Sequence, residues 1–135
     1  MRIRKARQPD FPQILTLAQR LNLDYAGMAA DDFWVAADGE KVLGICGLKK
    51  HPDGLELCAL GVEGTRHGRG LGTRLVRALL RAVKAEIYLA TVIPGYFARF
   101  GFREADVIPA SMVKKADWCE GCRRELCRVM VIKKR

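Results

Sequence analysis

The chain has 135 residues, half of them apolar, 29% charged and only 18 Pro or Gly, a composition that excludes disorder and fibrous repeats and predicts one globular domain over 1–135. No apolar run is long enough to cross a bilayer and the basic N-terminus is not followed by an apolar segment, so a cytoplasmic protein without membrane partners is expected. Lys and Arg exceed Asp and Glu by 24 to 15, giving +9 and pointing to a polyanionic partner, whether nucleic acid, an acidic surface or a phosphate-rich cofactor.

In chain order, Arg2 to Ala6 can form a first strand, and Asp10 with Gln13 reads as a capping box that opens a helix whose apolar face is Ile14, Leu17, Ala18 and Leu21. Phe33 to Ala37 and Val42 to Leu48 are predicted strands joined by an Asp38-Gly39 turn, and His51-Pro52-Asp53-Gly54 turns into a further strand over Leu55 to Val62. Leu71, Leu75, Val76, Leu79, Leu80 and Val83 recur at helical spacing, with Arg74, Arg77, Arg81 and Lys84 on another face: an amphipathic helix with a basic outer stripe. Glu86 to Val92 is a strand, Pro94-Gly95 breaks into a short helix ending at Gly101, and Leu126 to Ile132 closes the chain as a strand. The fold class is α/β (α+β), a mixed central sheet flanked by helices, with no internal repeat.

The positive charge concentrates where a strand meets the basic helix. Between Gly64 and Ala85 there is no acidic residue, and the connecting loop holds Arg66, His67, Gly68, Arg69, Gly70, Leu71, Gly72 and Thr73. Glycines there permit positive φ and remove side chains that would keep a ligand away, so successive N–H groups can converge on phosphate oxygens. The helix start adds free donors and partial positive charge. A diphosphate suits such a loop. The loop lacks the Gly-Lys-Ser/Thr ending of a Walker A motif, and its glycine spacing and late position in the chain do not fit a dinucleotide-binding turn.

With those residues in view the chain resembles the GNAT superfamily of acetyl-CoA-dependent N-acetyltransferases, whose signature is (Arg/Gln)-x-x-Gly-x-(Gly/Ala). Here it reads His67-Gly68-Arg69-Gly70-Leu71-Gly72, five residues after Val62. The Asp32–Ala36 and Asp38–Gly44 segments resemble the family's central hairpin, and Tyr96-Phe97-Ala98-Arg99-Phe100-Gly101-Phe102 its later helix and Gly-Phe step. Within the superfamily the chain is most similar to small bacterial proteins related to the acetyltransferase domain of N-acetylglutamate synthase, and arginine feedback through the full synthase's regulatory domain is not expected in 135 residues.

The resemblance implies a GNAT-like sheet, acetyl-CoA as cofactor and transfer of its acetyl group to a primary amine of a small molecule such as an amino acid. Residues 66–73 would take the pyrophosphate, and the backbone of Leu60, Gly61 and Val62 would polarise the thioester carbonyl. Glu56 matches the position from which a glutamate acts as base in the family's histone-acetylating members, and strand alternation puts it on the face of Leu60 and Val62. Two positions depart from the pattern: His67 replaces Arg or Gln, and Phe97 stands where many members have the tyrosine that protonates the departing thiolate. Tyr96 is the candidate for that role, one residue off and about 100° around the helix. The other readings are protein or peptide Nα-acetylation, coenzyme A binding without turnover, and a nucleic-acid-binding module, the last disfavoured because no exposed aromatic platform accompanies the basic stripe. Homodimerisation is left open.

Cys46 and Cys58 lie in predicted strands and read as core residues. Cys119, Cys122 and Cys127 form a cluster with metal-knuckle spacing but lack a fourth local ligand, so unlinked thiols, zinc completed by another residue or a neighbouring subunit, and a redox role all remain open.

Overall fold

A computed structural model describes residues 1–64, 70–112 and 127–133. The strands are β1 (Arg2–Lys5), β2 (Phe33–Asp38), β3 (Lys41–His51), β4 (Gly54–Val62), β5 (Ile87–Thr91), β6 (Arg103–Glu104) and β7 (Arg128–Ile132); the helices are α1 (Phe11–Arg20), α2 (Leu71–Ala82) and α3 (Pro94–Ala98). The seven strands form one mixed sheet in the order β1-β2-β3-β4-β5-β7-β6, the flanked mixed sheet that the strand and helix periodicities predict. Two compact units contribute to it, residues 1–49 with 57–83, and residues 50–56 with 84–135.

In the first unit β1 and β2 pair antiparallel, Arg2 opposite Ala37 and Lys5 opposite Trp34, and Ala6 N–H extends the ladder to Phe33 O at 3.0 Å. The β2–β3 hairpin closes Asp38 against Lys41 with Gly39 at φ +61°, a left-handed conformation in which glycine is unstrained. Phe33, Val35, Ile45, Ile14, Leu17 and Ala18 make the core between sheet and α1. Leu71, Leu75, Val76, Leu79 and Leu80 are buried on α2, while Arg74, Arg77 and Arg81 are exposed, so the 3.6-residue period separates the two faces as expected. Helix α2 stops at Ala82 and Val83 is already extended.

The capping box expected at Asp10 and Gln13 does not form. Asp10 carries no side-chain cap bond to α1; its carboxylate instead accepts from Arg7 N–H at 2.7 Å and, bidentately, from the Arg4 guanidinium at 2.7 and 3.0 Å. A bidentate fork to a guanidinium together with one backbone N–H outweighs a single cap bond. The Arg4 bonds hold the Asp10 carboxyl down from its ordinary 3.8 to about 2, against the opposing effect of burial. Gln13 is diverted as well, its amide donating to Glu40 O and accepting from Val42 N–H at 2.7 and 2.8 Å, which ties α1 to the β2–β3 turn.

In the second unit β5 pairs antiparallel with β7, Ile87 opposite Ile132 and Thr91 opposite Arg128, and β7 with the short β6. Sequence patterning misses β6 because a two-residue strand with both side chains exposed carries no periodicity. Phe97 and Phe102 are buried with their rings edge to face, and Gly101 between helix and strand takes φ +104°. Strand β4 begins in this unit, parallel to β5 with Leu55 opposite Ile87 and Glu56 opposite Tyr88.

Candidate functional site

The apolar run from Leu55 to Val62 folds as the predicted strand, but Ala59 within it sits at φ +50°. A side-chain-bearing residue in the left-handed region costs about 1–2 kcal/mol and is held there by its surroundings. Ala59 is 9% exposed and packs on the core cluster together with its neighbour Cys58. Two consecutive residues touching one cluster mean that the alternation of the pleat is interrupted there. Gly61 lies against the same cluster: a Cβ built on it would meet Leu21 and Leu23 Cδ1 at 2.7 Å. Counting by twos from Glu56 therefore fails at Ala59, and the shared face with Leu60 and Val62 no longer supports Glu56; its candidacy rests on the surroundings of its own carboxylate.

Those surroundings were missed by the sequence reading. His51, the last residue of β3, places Nε2 at 2.7 Å from Glu56 Oε1, the two side chains being 12% and 16% exposed. The intervening turn is anchored independently, since the Asp53 carboxylate accepts from Ser111 N–H at 3.1 Å and from the Ser111 hydroxyl. These bonds draw the Asp53 carboxyl below its usual value. Beside Glu56 in the ladder, Tyr88 turns its hydroxyl to Glu86 Oε1 at 3.0 Å, and Lys133 Nζ lies 3.2 Å from the other Glu86 oxygen. The Lys133 and Tyr88 bonds pull Glu86 down, while burial and Glu86 push Tyr88 up.

Past the interruption at Ala59, β4 ends at Val62. Glu63 N–H returns to Leu43 O at 2.8 Å, and α2 follows Gly70. Gly70 precedes the helix at φ +74° with its carbonyl already accepting from Arg74 N–H at 3.0 Å. A Cβ there would meet nothing within 4 Å among the described residues, so the conformation is what calls for glycine. A helix start of this kind, with its partial positive charge and outward arginines on the first turns, suits a phosphate group. Leu71, Gly72 and Thr73 form the first turn, Leu71 buried and Gly72 and Thr73 half-buried. Arg66, His67, Gly68 and Arg69 lie outside the described residues.

Tyr96 is half-buried on α3, edge-on to Phe97 at 5.0 Å and to Phe100 at 5.5 Å between ring centroids, with the Arg99 guanidinium 4.6 Å over its ring. Phe97 is 6% exposed and belongs to the aromatic core, so the side chain at the family's usual tyrosine position serves packing here. Of the cysteine cluster, Cys119 and Cys122 lie outside the described residues and Cys127 is half-buried ahead of β7; among the described residues no group of three His, Cys, Asp or Glu is placed to hold a metal. No helix among the described residues is long and apolar enough to cross a membrane.

Residues 1–102 match the model of the Acetyltransferase (GNAT) family. Among solved structures, the chain is similar to Rv2747 from Mycobacterium tuberculosis, determined in complex with CoA and NLQ, at 21% identity and a TM-score of 0.73 over 98% of this chain and 99% of that one. It is also similar to N-acetylglutamate synthase from Neisseria gonorrhoeae complexed with coenzyme A and N-acetyl-glutamate, at 19% identity and a TM-score of 0.74, over 99% of this chain but 35% of the synthase. A third likeness is to an Arabidopsis thaliana protein bound to the bisubstrate analogue CoA-Ac-MVNAL, at 20% identity, a TM-score of 0.65 and 96% of both chains.

Proposed function

We propose, from the premise that this chain belongs to the GNAT acetyltransferase family and is an acetyl-CoA-dependent transferase, that it acetylates the primary amine of a small molecule, an amino acid being the leading class. The observation that carries the cofactor side is Gly70 in the left-handed region at the start of α2, with no described residue within 4 Å of a Cβ built on it and an acid-free, arginine-bearing helix behind it. The residues present fit the group: backbone donors and outward cations suit a diphosphate. Leu60, Gly61 and Val62, beyond the interruption at Ala59, are the segment whose N–H groups would stabilise the carbonyl oxygen as charge develops on it.

On the acceptor side Glu56 takes the proton of the incoming ammonium, making the amine nucleophilic. Tyr96 is the proposed proton donor to the departing thiolate, because Phe97 has no hydroxyl to give. The amino-acid class is supported by the whole-length likeness to a protein solved with CoA and NLQ and the likeness to a synthase solved with N-acetyl-glutamate. Peptide Nα-acetylation is the second reading, favoured by a whole-length likeness to a protein holding a peptide-bearing bisubstrate analogue. A cytoplasmic location belongs to the same proposal.

Calorimetry with acetyl-CoA tests the cofactor placement. Gly70→Val puts a β-branched residue at φ +74° and a side chain into the approach, so affinity should fall at least about tenfold, roughly 1.4 kcal/mol, while circular dichroism shows α2 intact. Unchanged affinity would remove the pyrophosphate from this loop. Turnover on L-glutamate, L-glutamine and a short peptide, followed by thiol release, decides the acceptor class.

A further inference from the structure

The established family chemistry leaves one polar contact unused. His51 and Glu56 face each other across a two-residue turn, joined by a 2.7 Å contact and both largely withdrawn from water. Stability alone is a poor reason for the pair, because desolvating a carboxylate and an imidazole costs about what their contact returns, and two apolar residues there would do as well or better. The arrangement is also held on every side. Pro52 restricts the turn, Ser111 pins Asp53 by two bonds, and Glu56 is locked in the ladder opposite Tyr88, whose hydroxyl is directed to Glu86. Glu56 Oε2, in contrast, has no hydrogen-bond partner among the described residues and is not sealed from solvent.

We propose that His51 is the positioning residue of the proton-accepting unit, an assignment that rests on the reading of Glu56 as base. Its Nε2–H donates to Glu56 Oε1, fixes the carboxylate rotamer and leaves Oε2 as the one oxygen presented to the acceptor. The step is balanced as follows: Oε2 takes one proton from the R–NH3+ acceptor; the freed nitrogen lone pair forms the new N–C bond as the C–S bond of the thioester breaks; the sulfur leaves with that electron pair and takes the Tyr96 hydroxyl proton, which the second nitrogen proton restores; and Glu56 then releases its proton to water. His51 neither gains nor loses a proton over the cycle. A side chain of this kind trades the carboxylate's rotational freedom for a defined direction, which is where orientation lowers a barrier.

Two substitutions separate positioning from packing. His51→Leu fills similar space without a donor and should lower kcat about tenfold or more at unchanged KM for acetyl-CoA, whereas His51→Gln, whose amide nitrogen reaches about where Nε2 lies, should keep most of the turnover. In a Glu56→Gln background His51→Leu should add no further loss. Full turnover in His51→Leu, or equal losses in both folded variants, overturns the assignment; full turnover in Glu56→Gln overturns instead the reading of Glu56 as base. An arm needing no acceptor uses 15N resonances of the unliganded protein at neutral pH: protonation at Nε2 is expected, and a neutral ring protonated at Nδ1 with bare Nε2 overturns the proposal.

Discussion

The two halves of β4 are built differently, and the roles proposed for them differ accordingly. From Gly54 to Cys58 the strand is paired with β5 at Leu55 and Glu56, and the role proposed for it falls to a side chain, the Glu56 carboxylate in contact with His51. From Ala59 to Val62 the side chains are small or apolar and the proposed role passes to the backbone, turned by one residue at φ +50°. A carboxylate base needs a residue of the right type, whereas an oxyanion site needs N–H groups in the right direction, which several sequences can supply. The first requirement is visible in composition. The second is visible only in geometry.

Breaking the first half should have the largest effect. Glu56→Gln keeps the shape and removes the basicity, so turnover should drop on the order of 10²-fold or more while calorimetry finds acetyl-CoA affinity nearly unchanged; equal losses in both would mean that the strand itself had been damaged. A carboxylate held purely for structure sharpens the contrast. Asp10 is 6% exposed and has its carboxyl lowered to about 2 by Arg4, so it favours the folded state above its unfolded value of 3.8 and loses that contribution as pH falls from about 5 toward 2. Asp10→Asn should therefore cost about 2 kcal/mol at neutral pH and flatten the acid limb of the stability curve in urea titrations, with no effect on the pH dependence of turnover.

The smallest effect is expected in the second half. Ala59→Gly relieves the left-handed strain but loses a buried methyl and frees the unfolded chain. These opposing contributions should leave thermal stability within about 1 kcal/mol of the parent and acetyl-CoA affinity unaltered. A large affinity loss on Ala59→Gly would show that the methyl group, and not the backbone direction, serves the site.

The same division explains what could be read in advance. Strand and helix identities came from periodicity, because α2 and α1 bury one stripe each and β2 and β3 are long apolar runs. The glycine-rich segment and Glu56 stand out in the sequence as residue types at fixed spacing, and on that ground both enter the proposed function. Ala59 does not, since alanine carries no signal for positive φ, and an alternation argument drawn across it put Glu56 on the wrong footing. His51 was overlooked because its partner becomes a neighbour only when the β3–β4 turn closes. The Asp10 and Gln13 spacing did resemble a cap, yet Arg4, six residues back and brought close by β1, offered a stronger partner.

Cys46 lies at the centre of the first unit with no exposed surface, and burial among apolar groups pushes its thiol well above the ordinary value. The reactive form of cysteine is the thiolate, so in the closed protein this sulfur is chemically silent at neutral pH although it sits one strand away from the chain that carries the site. It becomes nucleophilic only when β3 separates from its neighbours. The rate at which a small alkylating reagent captures Cys46 is thus a clock for the opening of the β2–β3–β4 sheet, set by the protein's own breathing and independent of any substrate.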